Sequence, residues 1–395
     1  MDLSNKFLIS SSYGLRELSV SEKDYKDFIA NGQNLMFLTV VWGDKKWEQN
    51  FFTNLALCEK YEIPVIVYDN VMNDLSEKLT EEDVKKYTAA YSSSPVYSGN
   101  GFADEPGPEQ YPALAHIVGT YLRVFPDKRT FINLLPLYAA NFVFGDLDYE
   151  EYLESFAKTV PVDHISVDIY PFTVDDNGVK YTYDEYLRSL DMPAQICRKY
   201  NKEFWLYVQS MEFLPNREPG LEEMRFQAWS GLSFGMTHFM HFCYDVPGGS
   251  IREDRTKKPL WSYTRAVNTE LAAFSDIYMG YKNLGAYVYE SGEVPEYTVF
   301  ENNYSDFDCM RILSSTETLL VGCFDEKAGS GKAFTLVNMS EVSAGKIADV
   351  EFSVPGAAKV TAYIKGIPHE LRSVDEKYYI SLDCGEGAFV TAEYR

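Results

Sequence analysis

Short runs of apolar, β-branched or aromatic residues recur through the first two thirds of the chain. Each is followed by a polar loop and then by apolar positions at helical spacing, which is the pattern of repeated β-α units. Eight such runs are read as strands: 7–10, 35–41 (LMFLTVV), 64–68 (PVIVY), 97–103, 130–135 (TFINLL), 164–170 (HISVDIY), 203–209 (EFWLYVQ) and 236–244 (MTHFMHFCY). Helical periodicity fills the gaps at 21–31, 47–61, 80–90, 110–125, 149–159, 183–200 and 220–234, and a last helix is expected within 260–284. Ser21 and Thr80 each stand ahead of acidic residues (Glu22 and Asp24; Glu81 to Asp83), as N-caps do when carboxylates meet the positive end of a helix. Eight strands alternating with helices over about 245 residues match a (β/α)8 (TIM) barrel.

Beyond about residue 285 the texture changes. Short β-rich segments at 309–313, 318–325, 333–338, 349–354, 359–364, 377–382 and 387–392 are separated by Gly, Pro, Ser or Asp turns, which indicates a small all-β C-terminal sandwich domain. The expected division is 1–288 for the barrel and 289–395 for the sandwich, with the boundary inside 285–295. No internal repeat or low-complexity tract interrupts this plan.

Charge narrows the possible partners. The 395 residues carry 59 Asp+Glu against 36 Lys+Arg, a formal net charge of −23, so phosphate backbones and anionic membrane surfaces are repelled. With 46% hydrophobic and 24% charged residues the chain has the usage of a folded globular protein. No run of about 18 uncharged apolar residues predicts a membrane span, and residues 1–10 lack the basic start and apolar stretch of a signal peptide, so a cytoplasmic location is expected. Six scattered cysteines without a CxxC pair read as reduced, buried thiols. Thirty Tyr, 25 Phe and 5 Trp are an unusually large aromatic supply, and aromatic faces are the surfaces on which the C–H face of a sugar ring stacks.

In a barrel of this kind chemistry is built at the C-terminal ends of the strands. The fourth run ends in Gly101-Phe102-Ala103-Asp104-Glu105-Pro106, two adjacent carboxylates where the strand stops. This Asp-Glu-Pro resembles the Asn-Glu-Pro of the clan of retaining (β/α)8 glycoside hydrolases. The runs Val167-Asp168-Ile169-Tyr170-Pro171-Phe172, Phe204-Trp205-Leu206-Tyr207-Val208-Gln209 and Gly235…Phe239…Phe242-Cys243-Tyr244 are similar to β-galactosidase-like barrels, which also carry a small C-terminal sandwich. The resemblance extends over nearly the whole chain through short motifs.

That resemblance implies a glycosidase in which Glu105 is the general acid/base, with no cofactor. Asp104 stands where the family has an Asn that contacts the hydroxyl beside the reacting carbon, and its charge would raise the Glu105 pKa. The family's nucleophile, a Glu closing the seventh strand, is replaced here by Gln209. Three alternatives stay open: Glu212 as nucleophile of a retaining enzyme, Asp168 as base of an inverting one, or a non-catalytic carbohydrate-binding barrel. Separation decides between the first two, roughly 5–5.5 Å for retention and 6.5–9.5 Å for inversion.

Supporting positions follow from the strand ends. Asn133, Tyr138 and Tyr170 are candidate donors to hydroxyls or to the acids, Gln209 is a candidate substrate contact, and Tyr13, Trp42, Trp205 and Tyr244 are candidate walls of a sugar subsite. A metal site is not expected: there are five His, no HExxH, and His238 and His241 fall on opposite faces of a strand. Walker A and strand-to-helix GxGxxG patterns are absent, so nucleotide binding has no sequence support.

Overall fold

The computed structural model describes residues 3, 5–12, 14–15, 20–74, 78–175, 178, 180–213, 215–290 and 309–394. Eight parallel strands form the barrel: β1 Leu8–Ser11, β2 Met36–Val40, β3 Val65–Asp69, β4 Tyr97–Asp104, β5 Arg129–Leu134, β6 His164–Ile169, β7 Glu203–Gln209 and β8 Met236–Phe242. Hydrogen-bonded neighbours run β1-β8-β7-β6-β5-β4-β3-β2. The seam between β1 and β2 is joined through Asn34, whose backbone N–H donates to the Ile9 carbonyl at 2.9 Å and whose Oδ1 accepts from the Ile9 N–H at 2.8 Å.

Each strand is followed by a helix: α1 Glu22–Ala30, α2 Lys45–Lys60, α3 Glu81–Thr88, α4 Tyr111–Val124, α5 Tyr149–Thr159, α6 Tyr186–Tyr200, α7 Leu221–Ser233 and α8 Pro259–Tyr278. Of the caps read from sequence, that at Thr80 forms in full, whereas at Ser21 the N–H and the hydroxyl both donate to Asp24 Oδ2, at 2.8 and 2.6 Å. The Asp83 N–H donates to Thr80 Oγ1 at 3.2 Å while Asp83 Oδ2 accepts from the Thr80 N–H at 3.0 Å, the reciprocal pair of a capping box.

The barrel interior is packed with rings. Phe131, His164 and Trp205 stack face to face, with centroids 5.9 Å and 3.9 Å apart, and His238 meets the Trp205 edge at 4.8 Å. His238 bonds Ser10 Oγ at 2.7 Å and burial holds its pKa well below the usual histidine range, so it is a neutral packing group. His241 faces the other way, to Asn268 Oδ1 at 2.8 Å. Trp205 is thus a floor plank deep in the barrel, and its expected role as a subsite wall is corrected: the residue sits one layer below the mouth.

Antiparallel strands make up the C-terminal unit. One sheet runs β9 (Tyr281–Tyr289), β11 (Leu319–Glu326), β12 (Lys332–Asn338), β17 (Gly387–Glu393), β14 (Lys359–Ile364), β15 (Ile367–Glu370). The other runs β10 (Arg311–Ser315), β13 (Ala348–Ser353), β16 (Tyr378–Leu382). The expected division at 288 falls inside β9, which pairs with β11, so the C-terminal sheet begins at Tyr281. Period-2 alternation splits β11 between two cores. Leu319, Val321 and Cys323 face the second sheet, whereas Leu320 and Phe324 join the barrel core.

That shared core fixes the two units together. Trp229 on α7 stacks on Phe274 of α8 at 5.5 Å, and Phe274 stacks in turn on Phe389 of β17 at 5.9 Å. Gly387 is required for this approach, since a Cβ there would lie 2.7 Å from the Trp229 ring. Trp229→Ala is expected to cost about 3–5 kcal/mol. In urea unfolding followed by near- and far-UV circular dichroism, barrel and sandwich signals should move together to lower denaturant. A barrel transition that stays in place would contradict the shared core.

Candidate active site

Strand register decides which side chains meet at the barrel mouth. Asp104 on β4 is level with Asn133 on β5, Asn133 with Ser166 on β6, and Asp168 with Tyr207 on β7. These residues converge on a cavity of about 770 Å3 whose wall includes Asp104, Glu105, Asn133 and Asp168, with Tyr68, Tyr170, Tyr207 and Phe242 around them. Gly101 gives Tyr68 its place, because a Cβ on Gly101 would lie 2.4 Å from the tyrosine ring.

The Asp104–Glu105 step is a built corner. Glu105 has φ +49°, a left-handed conformation that an L side chain adopts only when its surroundings hold it there. Its N–H donates to the Asn133 carbonyl at 2.8 Å, and the next residue's carbonyl, on Pro106, accepts from Tyr152 of α5 at 2.9 Å. Both carboxylates remain accessible from the cavity.

Asp168 lies beneath them with 6% of its surface exposed. Asn133 Nδ2 donates to Asp168 Oδ1 at 3.0 Å, and Ser166 Oγ donates to Asn133 Oδ1 at 2.8 Å. The Glu105 and Asp168 carboxyls are near enough for each to shift the other's proton affinity. Burial, followed by the neighbouring Glu105 charge, pushes Asp168 up to about 8. Burial and then the Asp104 charge raise Glu105, and burial raises Asp104 against the opposing Asn133 hydrogen bond. Near neutral pH the pair therefore holds one proton between two carboxyls. Among the described residues the cavity wall holds no Lys, Arg or His to offset these charges.

Other expected site residues are placed differently. Tyr138 bridges backbone, donating to the Asp168 carbonyl at 3.4 Å and accepting from the Tyr170 N–H at 3.2 Å. Gln209 is fully buried and spends its amide on structure. It accepts from the Phe172 N–H at 2.9 Å and donates to the carbonyls of Phe172 (2.9 Å) and Arg217 (2.6 Å), leaving nothing for a substrate. Glu212, the alternative second carboxylate, is exposed and is not among the residues lining the cavity, although its neighbours Met211 and Phe213 are.

Trp42 donates its indole N–H to Asp69 at 2.9 Å and packs on Phe52, whereas Trp47 at the start of α2 supplies the aromatic wall on that side. Tyr244 is buried behind β8 against Phe28 and accepts from Trp261 at 3.1 Å. Tyr13 lies outside the described residues. Tyr68, Tyr207, Phe242 and Trp47 escaped the sequence reading. Their signal was inward parity at the last turn of a strand or an aromatic opening the next helix. Among the described residues no group of three or more His, Cys, Asp or Glu is placed to hold a metal ion, and no helix is long and apolar enough to cross a membrane.

No family model matches the chain, and no curated protein matches it in sequence. Solved structures do share its fold. A protein described as a glycoside hydrolase superposes with TM-score 0.56 at 9% identity, over 100% of this chain and 98% of that one. An α-amylase from Anoxybacillus gives 0.53 at 12% identity over 95% and 90%, and the glycoside hydrolase family 30 subfamily 8 xylanase Xyn30A from Clostridium acetobutylicum gives 0.51 at 9% over 98% and 96%. The architecture is therefore the (β/α)8 barrel with C-terminal sandwich found in glycoside hydrolases, as the motif resemblance implied. At these identities the likeness shows the fold alone.

The raised Asp168 pKa has a consequence for stability. An unfolded Asp titrates near 3.8, so between about pH 4 and pH 8 the folded protein binds the extra proton and loses stability as pH rises. Asp168→Asn removes that dependence. In thermal unfolding the variant should match the parent near pH 4 and exceed its Tm near pH 8. An unchanged difference between the two pH values would contradict the assignment.

Proposed function

We propose that the protein is a glycoside hydrolase in which Glu105 and Asp168 are the catalytic pair. The observation that carries this reading is that two carboxyls which shift each other's proton affinity line one aromatic-walled cavity at the C-terminal end of the barrel. The glycoside hydrolases among the structural neighbours support the same reading.

Passing the shared proton from Asp168 to Glu105 prepares both reactants at once. Asp168 becomes a carboxylate able to attack the anomeric carbon, and Glu105 becomes the acid that protonates the departing glycosidic oxygen. Glu105 then deprotonates the water that releases the sugar. With Asp168 as nucleophile the reaction proceeds with retention, which calls for carboxyls about 5–5.5 Å apart. A wall with three carboxylates and, among the described residues, no cation suits neutral sugars and opposes uronic acids or phosphorylated sugars.

On a panel of 4-nitrophenyl glycosides, turnover is expected with neutral sugars and at least 100-fold less with glucuronides. Glu105→Gln should lower kcat by about 10²–10⁴-fold, and Glu212→Gln should leave it unchanged. The kcat/KM profile should fall on its alkaline side near pH 8, where the pair loses its last proton. Saturable sugar binding without turnover would overturn hydrolysis in favour of a carbohydrate-binding barrel. Turnover that depends on Glu212 would move the pair.

A further inference from the structure

Ser166 is fully buried in the barrel interior on β6, two positions before Asp168. Because its hydroxyl donates to Asn133 Oδ1, the Asn133 amide is held in one of its two flips, with Nδ2 turned toward the acids. One Nδ2 proton is given to Asp168 Oδ1 and the other faces Asp104. An amide so committed has no donor left for a sugar hydroxyl. In the opposite flip, Oδ1 would face Asp168 and accept its proton, favouring the neutral acid and disabling it as a nucleophile.

The other groups facing Asp168 do not compete for this role. They are Glu105 and Asp104 at the end of β4, Tyr138 after β5, Tyr149 and Tyr152 on α5, Tyr170 beyond β6 and Tyr207 on β7, with Cys243 beyond β8 close to the last two. Burial keeps all five tyrosines protonated well above neutral pH. The Asn133 amide is the neutral donor that favours the Asp168 carboxylate over the acid.

We propose that Ser166 and Asn133 are a positioning pair: Ser166 locks the amide flip, and Asn133, by donating to Asp168, favours transfer of the shared proton from Asp168 to Glu105. The catalytic consequence rests on the glycosidase reading, but the proton placement does not. A hydrogen bond to the charged form favours that form, so removing it makes Asp168 harder to ionise.

The test is a titration of the substrate-free protein carrying ¹³C-carboxyl Asp and Glu, read by NMR in the parent, Ser166→Ala, Ser166→Thr and Asn133→Ala. Ser166→Ala and Asn133→Ala should raise the Asp168 midpoint by about one pH unit, while Ser166→Thr, which keeps a hydroxyl, should stay close to the parent. On a turned-over glycoside the two alanine variants should lose kcat roughly tenfold or more with KM held, and their alkaline limb should move to higher pH. If Ser166→Ala fails to fold, Asn133→Ala carries the same reading. Midpoints that do not move, or a raised KM with kcat retained, would overturn the proposal. Shifted midpoints in a protein that hydrolyses no glycoside would support the proton placement and overturn the glycosidase reading instead.

Discussion

Two acids that shift each other's proton affinity, with no cation among the described residues of the wall, form the constraint on which the mouth of this barrel depends. Carboxyls so coupled cannot both ionise near neutral pH without an electrostatic cost, so they hold a proton in common. Burial of Asp168 beneath Glu105 sharpens the effect, because the charged form of the lower acid loses solvent. A lysine or arginine on the wall would have relieved the pair and destroyed its proton affinity. Among the described residues its place is taken by neutral amides and a set of ring faces, with Asn133 the amide that donates to Asp168.

The scaffold serves to keep that arrangement from relaxing. Glu105 is held in a left-handed conformation by hydrogen bonds made through its own N–H and through the carbonyl of Pro106, the latter reached by Tyr152 from α5. Beneath the site, the stack of Phe131, His164 and Trp205 fills the barrel and denies Asp168 a path into the interior. On the far side of the helices the sandwich braces α7 and α8 through Trp229, Phe274 and Phe389. Rigid support of this kind suits a site that must hold two carboxyls in a single relative position.

Much of this was legible in the sequence, for identifiable reasons. All eight barrel strands lie where apolar runs place them, since buried parallel strands read as continuous hydrophobic segments. Asp104 and Glu105 stood out because two carboxylates at a strand end have no packing role, and Asp168 because an acid within an apolar strand needs a partner. Depth was not legible. Trp205 and Tyr207 share inward parity, but only the register of β6 against β7 shows that Tyr207 reaches the cavity and Trp205 does not. Trp42 and Gln209 were misplaced for another reason: their polar atoms are taken by Asp69 and by the Phe172 and Arg217 backbone, long-range pairings that local sequence does not carry. Ser166 passed unnoticed because a lone serine in a strand signals nothing until its neighbour across the ladder is known.

The claim that Glu105 and Asp168 form the catalytic pair is tested most directly by trapping the intermediate. An activated 2-deoxy-2-fluoro glycoside of the sugar the enzyme turns over should inactivate it, and peptide mass spectrometry should find the sugar esterified to Asp168. A label on Glu212, or hydrolysis with inverted anomeric configuration and no label, would contradict the account.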